Sequence, residues 1–281
     1  MSRIAVIRNP KSHGNRMNPP GPTPEGVRLA EPFGRDALRT VLEDFARDGL
    51  DLLVIDGGDG TGDIADYTLF STSVTVTFDS FTAEVVKSAG GTDTLIDIEG
   101  VRGGTGNDTF EVSYAGHFYG GAGDDPMSDG GEGDGIYATL HGDGGNDTLS
   151  AGADGGSLDG GADDDTLFAL ATTTLAIKMT GGAGADKFGL GANTNGSGGA
   201  NADGTLAASV EVRDFVDGTD HLVFAAFGSV DTAQEWYDLL VANNTVEDET
   251  DGLHIGSDAG GDALIMGLTV ATFSVDDIAV V

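Results

Sequence analysis

Between Gly142 and Phe168 the chain reads GDGGNDTLSAGADGGSLDGGADDDTLF. Cut into nines, this becomes GDGGNDTLS, AGADGGSLD and GGADDDTLF, which puts Leu149, Leu158 and Leu167 at the same place in each block. A fixed short period is the mark of a repeat architecture. The shared pattern is Gly-Gly-x-Gly-x-Asp-x-U-x, where U is large and apolar. Glycines allow a tight loop of unusual backbone conformation, and x-U-x makes a short strand with U directed into a core. Each nonapeptide is then half a coil, and loops on one side recur 18 residues apart, as Asp147 and Asp165 do.

Working outward, the same pattern recurs as GGTGNDTFE at 103, GGAGDDPMS at 120 and GGAGADKFG at 181, with a weaker copy, GGEGDGIYA, at 130. The U positions form a phased apolar set, Phe110, Met127, Leu149, Leu158, Leu167 and Phe188. An acidic, glycine-rich disordered tail has no need to maintain such a set. The sixth-position aspartates, Asp108, Asp125, Asp147, Asp165 and Asp186, follow one another at steps of 17, 22, 18 and 21 residues. Those unequal steps imply insertions such as VSYAGHFY and ALATTTLAIKMT, and argue against one continuous ladder of ions. Gly135 and Gly156 stand where the weak copies at 130 and 151 need aspartate, and Asp163 replaces a glycine.

These blocks resemble the calcium-binding nonapeptides of the RTX, or hemolysin-type, repeat family. The resemblance implies a parallel β-roll over 103–190 in which calcium is held by the first, third and sixth positions of each strong loop. Those are Gly103, Thr105 and Asp108; Gly120, Ala122 and Asp125; Gly142, Gly144 and Asp147; Gly160, Ala162 and Asp165; Gly181, Ala183 and Asp186. ADYTLFSTSVTVTF through GGTDTLIDIEGVRGG resembles the family's lead-in, so 62–102 is expected to be an N-terminal cap. VEVRDFVDGTDHLVF resembles the segment that follows such arrays, with Asp214, Phe215, Gly218 and Asp220 matching, and 191–281 is expected to be the C-terminal cap. The ending SVDDIAVV reads either as an uncleaved type I secretion signal or as an ordinary terminal strand. Secretion through type I machinery is the expected route, with a cytoplasmic location as the alternative.

Composition agrees with a cation-binding protein. The chain has 281 residues, a formal net charge of -34 and no cysteine, so disulfides are excluded. Such a surface repels nucleic acid and anionic membrane and attracts cations, calcium first among them. No apolar run reaches the ~18 residues of a membrane span, and no secretory leader is visible at the N-terminus. Charge is distributed unevenly: residues 1–61 hold 8 Lys/Arg against 9 Asp/Glu, and 62–281 hold 5 against 38. A junction is therefore placed between Asp56 and Asp63.

Before it, RIAVIRNP and LDLLVI read as strands, and PFGRDALRTVLEDFARDGL, with Leu38, Val41, Leu42 and Phe45 on one face, reads as an amphipathic helix. This strand, helix, strand order, with IAVIRNPKSHGN and a DGGDGT turn, resembles the start of a diacylglycerol kinase catalytic domain over residues 3–61 only. The resemblance implies that Asn9, Gly57, Gly58, Gly60 and Thr61 approach ATP phosphates, with Asp59 near nucleotide and Mg2+. After Thr61 the kinase pattern stops. The later GTGND loop has a counterpart at 104–108, but that pentapeptide belongs to the repeat at 103. The overall expectation is a mainly β protein, a parallel β-roll with β-rich caps behind a small α/β segment, whose work is calcium-dependent folding in a structural or adhesive role. An ATP-dependent lipid kinase is the alternative.

No catalytic residue emerges. The sequence contains neither His-Glu-x-x-His nor Gly-x-Ser-x-Gly. His13, His117, His141, His221 and His254 show no ligand spacing and read as loop or surface residues. Trp236 and Tyr237 are expected to pack a short helix against the C-terminal cap.

Overall fold

The structure, a computed structural model, describes residues 4–8, 27–30, 52–56, 62–79, 82–130, 137–152, 154–169, 177–190, 209–224, 232–256 and 262–280. The expected helix at 32–50, Asn9 and the loop Gly57–Thr61 lie outside them, as does His13.

The described residues form two sheets facing each other across one core. In the repeat region the chain alternates between them at every half-coil. Sheet A receives the short strands β9 (Thr109–Val112), β11 (Pro126–Asp129), β13 (Thr148–Ala151), β15 (Thr166–Ala169) and β17 (Lys187–Gly189). Sheet B receives β10 (Gly116–Ala122), β12 (Ala138–Gly144), β14 (Gly156–Ala162) and β16 (Ile177–Ala183). Each strand pairs in parallel with the strand one full coil away, so Leu149 lies opposite both Met127 and Leu167, and Leu158 lies opposite both Leu140 and Met179. This is the parallel β-roll expected from the nonapeptides.

The period-2 rule accounts for the core. Alternate residues of every roll strand point inward, and the phased set Phe110, Met127, Leu149, Leu158, Leu167 and Phe188 is buried throughout. Phe118, Leu140, Ile177 and Met179 join Leu158 on the sheet B side and face the others. Tyr137, the apolar position of the weak copy at 130, is half exposed, and Ala138 takes the inward place instead. At the N-terminal end the core is aromatic, with the Phe78 and Phe118 rings 5.1 Å apart at 74°.

Length differences between coils are confined to one side. The turns from sheet B to sheet A are the aspartate loops and are nearly constant. The returns from A to B absorb the rest, so VSYAGHFY and ALATTTLAIKMT are not insertions into a loop row; their outer residues belong to β9, β10, β15 and β16.

Further strands extend both sheets beyond the roll at each end. On the N-terminal side, sheet A continues through β5 (Val74–Asp79), β6 (Thr82–Lys87) and β7 (Thr92–Ile96), and then through β3 (Leu52–Asp56), β1 (Ile4–Arg8) and β2 (Val27–Ala30). The strands on either side of residue 61 thus share one sheet, with β3 parallel to both β1 and β7. Sheet B ends on β8 (Gly100–Arg102) and β4 (Ile64–Asp66).

On the C-terminal side, sheet A closes with β19 (His221–Phe224) and β23 (Ile278–Val280), so the last apolar residues form a terminal strand parallel to β19. Sheet B closes with β18 (Ser209–Val212), β22 (Asp262–Ile265), β21 (Leu253–Gly256) and β20 (Thr245–Asp248), the last two pairings antiparallel. Helix α1 (Ala233–Asn243) begins at a Thr232–Glu235 capping box, which satisfies free N–H groups of its first turn. As expected, Trp236 is buried and stacks on Phe224 at 4.8 Å, and Tyr237 meets Phe273 at 5.2 Å. Among the described residues no helix is long and apolar enough to cross a membrane.

Candidate metal centre

The B-to-A turns stack the sixth-position aspartates into one row, and each rung is tied to the next by a backbone bond. The N–H of Asp108 donates to Asp125 Oδ1 (2.6 Å), Asp125 to Asp147 (2.8 Å), Asp147 to Asp165 (2.8 Å), and Asp165 to Asp186 (2.9 Å). The row does not stop there. Asp186 N–H donates to Asp220 Oδ1 at 2.9 Å, across a sequence gap of 34 residues, and at the other end Val74 N–H donates to Asp108 Oδ1 at 2.7 Å. The unequal steps therefore leave the row of carboxylates unbroken. The reason is that the far turns take up the difference.

The second carboxylate oxygen separates the ends of the row from its middle. At the ends it is satisfied locally: Gly104 N–H donates to Asp108 Oδ2 (2.7 Å) and Val216 N–H to Asp220 Oδ2 (2.8 Å). In the middle, Oδ2 of Asp125, Asp147 and Asp165 is buried with no hydrogen-bond partner among the described residues. Each of these oxygens lies over the first glycine of its own loop. A β-carbon on Gly120, Gly142 or Gly160 would collide with that Oδ2 and also crowd the carbonyl oxygen of the next loop's first glycine, Gly142, Gly160 or Gly181. Carboxylate and carbonyl oxygens thus converge on small spaces kept open by glycine.

Loop conformation sets the loop at 103 apart. In the loops at 120, 142, 160 and 181 the second and fourth positions have positive φ: Gly121 and Gly123, Asp143 and Gly145, Gly161 and Asp163, Gly182 and Gly184. Aspartate stands in for glycine at Asp143 (φ 71) and Asp163 (φ 76), since its short polar side chain tolerates this region best after asparagine and glycine. The departure at Asp163 therefore keeps the loop shape. In the loop at 103, Gly104 and Gly106 do not adopt positive φ, and Gly104 N–H is the group bonded to Asp108.

The third-position residues Thr105, Ala122, Gly144, Ala162 and Ala183 pair through their backbones with neighbouring segments. The carbonyl of Gly144 accepts from Gly123 N–H (2.9 Å) and that of Ala162 from Gly145 N–H (3.2 Å), so these oxygens hold neighbouring loops together.

Electrostatics follow from burying like charges in a line. Burial pushes Asp125 up to about 7, Asp147 to about 8, Asp165 to about 7 and Asp186 to about 6; neighbouring carboxylates add to the shift, and the rung hydrogen bond opposes it. Asp108 and Asp220 are also raised by burial, against two backbone donors each. A divalent cation among these oxygens would favour the charged forms. All the donors are oxygens, which is the chemistry of calcium.

Three parts of the site escaped the sequence reading. Asp220 is a sixth rung, and Asp220-His221-Leu222 repeats the Asp-x-U signature that could have revealed it. Asp214, also in the segment after the repeats, accepts from Gly181 N–H (2.9 Å) and Gly182 N–H (2.8 Å), closing the last loop. An outer, exposed row runs through the fifth positions: Asp124 N–H donates to Asn107 Oδ1, Asn146 to Asp124, Asp164 to Asn146 and Ala185 to Asp164. The alternation Asn, Asp, Asn, Asp at those positions was its signal.

No family model and no curated protein matches the chain. Among solved structures, the extracellular lipase LipA from Serratia marcescens is similar over 91% of this chain and 35% of that chain, at 17% sequence identity and a TM-score of 0.23. The assignment of the fold stands on the strand order and register given above.

Proposed function

We propose that this chain is a calcium-binding roll, a structural module of a secreted protein that completes its fold when calcium enters the aspartate row. The observation that carries the reading is the three buried, unpartnered oxygens, Oδ2 of Asp125, Asp147 and Asp165. A buried acceptor without a donor is costly, more so when ionised, and a cation relieves it. The ions would lie in the loops at 120, 142, 160 and 181, held by those carboxylates, by that of Asp186 in the last loop, and by carbonyl oxygens of the first glycines. The loop at 103 is set apart by its conformation and by Gly104, and serves as a cap of the row. Secretion by a type I route belongs to the same proposal and rests on the resemblance of the acidic nonapeptides to the RTX family. Type I machinery and a cell-surface or matrix component are the partners that fit it.

Equilibrium dialysis with radioactive calcium tests this reading. Binding by the wild-type protein that is reduced in Asp147→Asn and kept in Asp108→Asn would support it. Absence of binding up to about 10 mM, beyond the affinities of extracellular modules, would refute it.

A further inference from the structure

The C-terminal cap holds a second group of ligand-type side chains, remote in sequence from the aspartate row. β20 and β21 pair antiparallel with Glu247 directly opposite His254. His254 Nδ1 lies 3.8 Å from Glu247 Oε1 and 3.9 Å from Glu249 Oε1. One ligand atom from each of the three residues lies within 4.8 Å of the other two. The remaining ring nitrogen, Nε2, is paired with Asp262 Oδ1 on β22. Gly256 makes room for the ring, since a β-carbon there would sit 3.2 Å from His254 Cε1.

These contacts constrain the chemistry. The Asp262 carboxylate at Nε2 orients the ring and turns Nδ1 toward the two glutamates. That Nδ1 is buried and has no hydrogen-bond partner among the described residues. A ring nitrogen and two carboxylates therefore face one another at separations too long for hydrogen bonds. Ligand atoms around a tetrahedral zinc ion stand about 3.5 Å apart, so a small closure of the two exposed glutamates would complete the set.

We infer that Glu247, Glu249 and His254 form a site for a divalent transition metal of the zinc class, with Asp262 as the positioning residue that orients the imidazole. One nitrogen and two carboxylates suit zinc better than calcium, which takes oxygen ligands, and three protein ligands leave a fourth position for water. A carboxylate behind a ligating histidine is the usual second partner of such a ring. The site does not depend on the calcium reading, because none of its residues belongs to the aspartate row. It was missed in the sequence because Glu247 and His254 meet only through strand pairing.

The test is calorimetric titration of the full chain with zinc chloride in excess calcium, beside Glu249→Gln and Asp262→Asn. Both substitutions are at residues at least half exposed, and circular dichroism of each variant confirms that the fold is retained. The expected result is one zinc per chain that binds roughly tenfold more weakly in Glu249→Gln and about 10- to 100-fold more weakly in Asp262→Asn. Absence of zinc binding overturns the inference. So does zinc binding that neither variant changes.

Discussion

Gly142 and Gly144 lie two residues apart in one loop, and the structure gives them unequal freedom. A β-carbon on Gly142 would collide with Asp147 and with the Gly160 carbonyl, whereas one on Gly144 meets nothing closer than 3.9 Å. Gly142→Ala is expected to cost about 1–3 kcal/mol by overpacking. Gly144→Ala should stay within about 0.5 kcal/mol, in keeping with the alanines at 122, 162 and 183. Thermal unfolding of both at saturating calcium checks this contrast. Asp147→Asn separates charge from hydrogen bonding, since the amide oxygen still accepts from Asp125 N–H. It should stabilise the ion-free protein at pH 8 while weakening calcium binding about tenfold, and melting with and without calcium reads both effects. The first-position glycine and the sixth-position aspartate were legible because they recur in every strong copy. The end rungs were not distinguishable, since the sequence of the 103 loop is as regular as any other. What sets it apart is a backbone conformation and a bond from Gly104.

At the scale of elements, the half-coil is the unit, and its legibility came from Leu149, Leu158 and Leu167 keeping one phase. Three alternating apolar positions placed the strands, their sheets and their inward faces. The far turns were less legible, because a return path has no fixed residue to align on, so β10 and β16 were mistaken for insertions. Strand pairing across long gaps was hidden for the same reason: Asp220 reaches the row only because β19 lies parallel to β17. Since β13 is held on both sides by parallel partners, truncation at its centre cannot be relieved by slippage. Leu149→Ala is expected to cost about 2–5 kcal/mol, measured by denaturant unfolding at saturating calcium.

For the whole molecule, the dominant fact is a net charge of -34 on a roll whose buried aspartates lie in one line. In ion-free protein the row holds protons up to about pH 6 to 8, whereas aspartate in an unfolded chain releases them near 3.9. The folded state therefore binds more protons across that interval. The corresponding stability is fully present below about pH 4 and is lost as pH rises toward 8. In chelator, the melting temperature should be higher at pH 5 than at pH 8. With calcium the order should reverse, because binding releases the same protons. Residues 4–8, 27–30 and 52–56 contribute strands to the edge of sheet A, but Asn9 and Gly57–Thr61 lie outside the described residues.

The central claim, that calcium completes the roll, is tested most directly by far-ultraviolet circular dichroism of the full chain at pH 7.5, titrated with calcium from chelator to about 10 mM. The account predicts a cooperative gain of β signal that chelator reverses and that magnesium, with its strict octahedral demand, does not reproduce. A spectrum that is the same in chelator and in calcium would contradict it.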